Sequence, residues 1–219
     1  TEAEMSDFNN QYNLNLSFIA ENGSSIHRLN LIHEHLPNFI SMGRTLDKIY
    51  EIYNENIPSG LKQKIILISK LNYKEQEKIF GLPLNKIKLA MKRNHSIPIK
   101  FIGSEFEKNK LIKILNDVGL TVQTGGRIMN ICDKVNKSEA IIKTLELISN
   151  EIQNDIITIS VGDNQNDMDM LKETDYSCLV KNDNFDSSLI NIDNLIKSSE
   201  PSPLGWADVI KTAIQKIES

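Results

Sequence analysis

Cysteine is scarce in this 219-residue chain, with two in all. Cys132 and Cys178 lie far apart and form no C-x-x-C pair, so neither a disulfide framework nor a zinc site is expected; buried thiols are. No basic excess exists either. Net charge is −4, which gives a nucleic-acid partner no compositional support. Nor is there an apolar run of the roughly 20 residues that a membrane-spanning helix needs. The opening "TEAEMSDFNN" lacks the pattern of a secretory leader, so a cytoplasmic protein with no membrane partner is expected. Six prolines and ten glycines mark no linker, and no internal repeat or low-complexity segment occurs.

What is present is a succession of short strands and helices. "TEAE" reads as a capping box, Thr1 with Glu4, that opens a helix to about Asn13. "LSFIA" is a strand that ends in the turn "ENG", Glu21 to Gly23, and "SSIHRL" and "FISM" continue extended. Helical spacing follows from Thr45, then in two helices separated by Gly81 and Pro83, the second running to about Arg93. "IPIKFIG" is a strand. Ser104 and Glu107 box a helix that Gly119 ends. "TVQT" and "RIMNIC" are strands on either side of a glycine pair. From Asn136 the pattern becomes helix, strand, acidic loop, helix, strand and a last helix after Pro203, in which Trp206 is expected to pack. The middle therefore reads as α+β and the last third as a parallel α/β unit.

The acidic loop carries the chemistry. "DIITIS", Asp155 to Ser160, reads as a buried parallel strand, and "VGDNQNDMDML" follows it. Asp163 thus stands at the carboxyl end of a strand, where open α/β sheets bind ligands. Most acidic loops are merely solvated. Here Asp163 sits directly after Gly162, and Asn166 and Asp167 fall where the next helix begins. Mg²⁺ takes one or two protein carboxylates together with water and a substrate phosphate, which Asp163 and Asp167 suit. A calcium EF-hand loop fits less well: its sixth position should be glycine and is Met168, and its twelfth should be glutamate and is Thr174. "DKVNKSEAI" places Lys137 in the first turn of a helix that Asn136 and Glu139 can box. An ammonium beside helix amides is an anion site, although a surface lysine is the commoner fate.

These motifs resemble the haloacid dehalogenase superfamily of phosphohydrolases, in the branch with an α/β cap after the third core strand. "VGDNQNDMDML" is similar to its last acidic motif, Lys137 to the lysine of its third, and "FIAENGSSI" to the turn before the cap. Within the branch, "FGLPLNKIKLAMKRNHS", "TGGRIMNICDKVNKSEA", "YSCLVK" and "SPLGW" look most like the mannosyl-3-phosphoglycerate phosphatases. The resemblance implies a Rossmann-like parallel-sheet core, residues 1–25 and 133–219, and an inserted α+β cap, residues 26–132. It implies a Mg²⁺-dependent phosphatase acting on a mannosyl- or glucosyl-3-phosphoglycerate through an aspartyl-phosphate. Lys137 and Asp163 would serve catalysis, and Asp163, Asn166 and Asp167 the metal. Thr1, Glu21, Asn22, Gly23, Arg93, Gly126 and Arg127 would bind the phosphosugar. Arginine's planar fork suits a carboxylate or phosphate, with Arg127 favoured over Arg93; Asn22 in a turn role and the arginines in surface ion pairs are the plainer alternatives. Asn94 and Ile97 stand where family members are often acidic, which leaves the sugar open. A sucrose- or hexose-phosphate phosphatase of the same branch, or a non-catalytic truncated remnant, are the alternatives. The family's D-x-D nucleophile strand and phosphate-binding serine are expected upstream of Thr1, so the 219 residues alone are expected to be inactive.

Overall fold

The computed structural model describes residues 1–124, 128–186 and 190–218, and of Asn166 only the backbone. The chain forms two compact units, Thr1–Asn136 and Lys137–Ser219. Its fold is α/β: a parallel, Rossmann-like sheet lies in the second unit, and antiparallel sheets with helices make up the first.

In the first unit, α1 (Glu2–Gln11) leads to β1 (Phe18–Ala20), β2 (Ser25–His27) and β3 (Phe39–Ser41), which make an antiparallel sheet in sequence order. Next come α2 (Leu46–Asn56), α3 (Ser59–Lys62), β4 (Ile65–Leu67), α4 (Tyr73–Phe80), α5 (Leu84–Ala90), β5 (Ser96–Phe101), α6 (Glu105–Asp117), β6 (Leu120–Thr124) and β7 (Met129–Asp133). The four strands form a second antiparallel sheet in the order β4-β5-β7-β6. Its core interleaves Ile97, Ile99 and Ile131 with Ile49 and Tyr53 of α2 and Leu111 and Leu115 of α6. Each such side chain contributes about 1.5–3 kcal/mol when fully buried. Capping boxes start α1 (Thr1, Glu4), α4 (Asn72, Glu75) and α6 (Ser104, Glu107). In each, the cap side chain takes the third helical amide and the glutamate reaches back to the cap amide.

The second unit runs α7 (Lys137–Glu151), β8 (Ile159–Gly162), α8 (Met168–Lys172), β9 (Tyr176–Lys181), β10 (Ile196–Pro201) and α9 (Leu204–Ile217). The strands are parallel in the order β10-β9-β8, so their carboxyl ends share one edge. The strand expected over 155–160 begins only at Ile159. The register pairs Ile159 with Tyr176, the first residue of β9, and the residues before Tyr176 close a helix. The Thr158 carbonyl still accepts from the Tyr176 amide at 3.0 Å, but residues 155–157 lie beyond the start of β9, and Ile157 is exposed. Trp206 does not pack as expected and is 51% exposed. The buried stripe of α9 is Gly205, Val209 and Ala213, spaced by four, and position 206 is turned about 100° round the helix from Gly205. Cys132 and Cys178 are free and buried, and burial pushes the Cys132 thiol up to about 12. No helix among the described residues is long and apolar enough to cross a membrane.

Candidate active site

Asp163 follows β8 directly, at the carboxyl edge of the parallel sheet. After it the chain turns through Gln165–Asp167 into α8, with Asn164 Oδ1 accepting from the Gln165 amide at 2.7 Å. That turn brings Asp167 back beneath the strand tip, where it is 7% exposed. Both of its carboxylate oxygens are engaged. Oδ1 accepts from Lys137 Nζ at 2.6 Å, and Oδ2 accepts from the Asp163 amide at 3.2 Å. Gly162 makes room for this, because a Cβ there would stand 2.4 Å from Asp167 Cβ. Lys137 is the first residue of α7, so its ammonium lies at the positive end of a helix and is aimed by a buried carboxylate.

Asp163 is placed differently. Its side chain is exposed, and Oδ2 accepts from Asn182 Nδ2 at 3.3 Å, while no described residue donates to Oδ1. Asp169, two residues beyond Asp167, is exposed and pairs loosely with Lys172 at 3.6 Å. The structure thus joins Lys137, Asp163 and Asp167 into one constellation of an ammonium, an open carboxylate and a carboxylate between them. The chemistry it suits is binding of an anion together with a hard cation.

Within the first unit, the remaining described residues gather around the Glu21–Gly23 turn. All three have positive φ (47°, 58° and 106°), which Asn and Gly tolerate better than most residues. The Glu21 carboxylate accepts from the amides of Asn94 (2.6 Å) and His95 (3.2 Å) and from the Ser96 hydroxyl. Asn22 Nδ2 donates to Gln123 Oε1 at 2.9 Å, and Gln123 in turn donates to the Val135 carbonyl at 2.7 Å. Arg93 is half-buried, its guanidinium donating to the Ala90 carbonyl (3.0 Å) and Ser96 Oγ (3.1 Å). Burial lowers its affinity for the proton, and the charges of Glu21 and Glu4 oppose that. Thr1 Oγ1 caps α1 and donates to the Leu89 carbonyl at 3.1 Å. These side chains are engaged within the unit itself. Gly126 and Arg127 lie outside the described residues, as does the side chain of Asn166.

Two participants escaped the sequence reading. In the sequence Gly162 stands out only as the residue before Asp163, and its clearance for Asp167 is visible only in three dimensions. Asn182 lies 19 residues beyond Asp163, and nothing in "LVKNDNF" marks it out. The one available signal was positional, since it follows a parallel strand beside the one that carries Asp163.

A parallel α/β sheet with carboxylates after its strand tips and a lysine opening the preceding helix is the ligand-binding arrangement of the open α/β class. The chain belongs to the haloacid dehalogenase-like hydrolases, whose family model matches residues 1–191. It is similar to a glucosyl-3-phosphoglycerate/mannosyl-3-phosphoglycerate phosphatase of Methanococcoides burtonii, 28% identical over 99% of this chain and 82% of that protein. It is also similar to a protein of the same name from Persephonella marina, 24% identical over 100% of this chain and 83% of that protein. Among solved structures, SMU.1108c of Streptococcus mutans matches with a TM-score of 0.62 and 18% identity, covering 98% of this chain and 82% of the other. The Thermoplasma acidophilum 0175 protein matches at 0.53 and 14%, covering 95% and 76%. These two likenesses concern the fold.

Proposed function

We propose that the protein is a Mg²⁺-dependent phosphatase that hydrolyses a mannosyl- or glucosyl-3-phosphoglycerate. The observation that carries this reading is the Lys137–Asp167–Asp163 constellation at the sheet edge, in a chain that aligns over nearly all of its own length, and 82–83% of theirs, with relatives of that name. In this reading residues 1–25 and 133–219 form the hydrolase core and residues 26–132 the cap.

The donor set fits Mg²⁺. Asp163 offers an exposed hard oxygen with one lone-pair face open, which is all the protein this ion requires. Each Asp167 oxygen accepts one hydrogen bond and keeps a second lone pair with which it could join Asp163, and Asn166 would join from the same turn. When bound, the ion supplies positive charge against the phosphoryl oxygens. Lys137, with its Nζ at the α7 N-terminus and its direction set by Asp167, would bind the phosphate. Thr1, Glu21, Asn22, Gly23, Gly126 and Arg127 would bind the phosphosugar, Arg127 through the planar fork that suits a carboxylate, while Arg93, whose guanidinium is engaged by the Ala90 carbonyl and Ser96 Oγ, supports the fold.

The test measures phosphate release by the full-length protein from mannosyl- and glucosyl-3-phosphoglycerate, sucrose 6-phosphate and glucose 6-phosphate, with Mg²⁺ and with a chelator. A sugar phosphoglycerate should lead in kcat/KM by at least about tenfold, the worth of one charged hydrogen bond to its carboxylate. Chelation should abolish turnover. Preference for a hexose or sucrose phosphate would assign the chain to another substrate of the branch, and no turnover of any would leave it a binding protein.

A further inference from the structure

We propose that Asn182 is a positioning residue for Asp163, holding its carboxylate so that one oxygen faces outward for a divalent cation. The proposal rests on the reading of Asp163 as the metal anchor. Asn182 follows β9 directly, as Asp163 follows β8, and the two strands are parallel neighbours. Its Nδ2 donates to the Asp163 carbonyl oxygen at 3.1 Å and to Asp163 Oδ2 at 3.3 Å. The two bonds fix both the backbone and the side chain of the same residue. The amide is itself oriented, because Asn182 Oδ1 accepts from the Asn184 amide at 3.0 Å. That third bond determines which end of the carboxamide points at Asp163, and only the NH₂ end can hold a carboxylate.

An exposed aspartate on its own samples several rotamers, and ordering it at the moment of metal binding costs entropy. A neutral donor on Oδ2 removes that cost without neutralising the charge the cation needs. A lysine in the same place would orient the carboxylate equally well but would compete with the metal. The partners of metal-ligating carboxylates commonly work this way, and their loss weakens metal affinity or activity about 10- to 100-fold.

The experiment is Mg²⁺ titration of the full-length protein by calorimetry, alongside thermal unfolding with and without Mg²⁺, for the parent, Asn182→Ala, Asn182→Leu and Asp163→Asn. Asn182→Leu keeps the branched shape and removes the Nδ2 donor, so it reports even where the alanine variant packs poorly. Asn182→Ala or Asn182→Leu should weaken Mg²⁺ binding by about 10- to 100-fold. The Mg²⁺-free melting temperature should stay close to the parent's, and excess Mg²⁺ should restore kcat. Parent-like Mg²⁺ affinity in Asn182→Leu, while Asp163→Asn loses binding, overturns the proposal and leaves Asp163 as the anchor. Undiminished binding in Asp163→Asn overturns the reading of Asp163 itself. A loss of kcat that excess Mg²⁺ cannot restore, with a lowered Mg²⁺-free melting temperature, would make Asn182 a structural residue and also overturn the proposal.

Discussion

Arg93 and Arg127 look alike in the sequence, and they are expected to behave differently. Arg93 sits half-buried against Ser96 and the Ala90 carbonyl, close to Glu21, which itself holds the amides of residues 94 and 95. Removing its guanidinium leaves buried acceptors without a donor, at about 1–3 kcal/mol. Arg93→Ala should therefore lower the melting temperature and impair turnover of every phosphate ester alike. Arg127→Ala should instead raise KM for a carboxylate-bearing substrate by one to two decades, roughly the worth of a charged hydrogen bond, and spare a simple aryl phosphate. Thermal scans beside KM values for the two substrates make the comparison. Parallel losses on both substrates for Arg127→Ala would move it to the phosphate or to the fold.

At the scale of elements, α6 shows how strongly local chemistry can specify structure. Ser104 accepts from the Glu107 amide at 3.3 Å, and Glu107 Oε2 accepts from the Ser104 amide at 2.7 Å. Those bonds to Ser104 hold the Glu107 carboxyl below its usual range. Ser104→Ala should destabilise the protein by about 1 kcal/mol, read from urea unfolding, with no change in KM. The same locality explains what was legible in the sequence. Boxes at Thr1 and Ser104, the glycine stop of α4 (Gly81, φ 58°) and the apolar spacing of α2 all depend on neighbours within a few residues. What was missed depends on partners far along the chain. β10, "IKSSEP", buries only Ile196 and is a strand because β9 lies beside it. β4 shares a run of aliphatic residues, "KIILISKL", with the 3-10 turn that follows, so no period marked its bounds. The start of β8 was misplaced because apolar content extends upstream of its partner's first residue. The site divides in the same way: Lys137, Asp163 and Asp167 stand within recognisable motifs, whereas the bond from Asn182 to Asp163 spans 19 residues.

At the scale of the whole molecule, stability should fall on mild acidification. His27 is buried, stacked on Phe18 with ring centroids 4.8 Å apart, and its Nε2 lies 2.9 Å from Ser25 Oγ. Burial holds its imidazole below the usual 6.5, against the pull of Glu2 at 3.8 Å. The folded state therefore keeps His27 neutral while the unfolded chain takes up a proton. Its contribution is complete above about pH 6.5 and is lost as pH falls toward the folded value. Urea midpoints measured at pH 5, 6 and 7 should show that slope in the parent and a shallower one in His27→Gln; equal slopes would contradict the assignment. In the proposed reading, function at the same scale depends on one residue at the sheet edge. The most direct measurement is kcat/KM on mannosyl-3-phosphoglycerate as a function of Mg²⁺ concentration, for the full-length protein, Asp163→Asn and Asp169→Asn. Asp163→Asn should keep its fold and lose both Mg²⁺ response and turnover, whereas Asp169→Asn, whose side chain is 71% exposed, should stay close to the parent. Equal losses at the two positions, or undiminished Mg²⁺-dependent turnover in Asp163→Asn, would contradict the account.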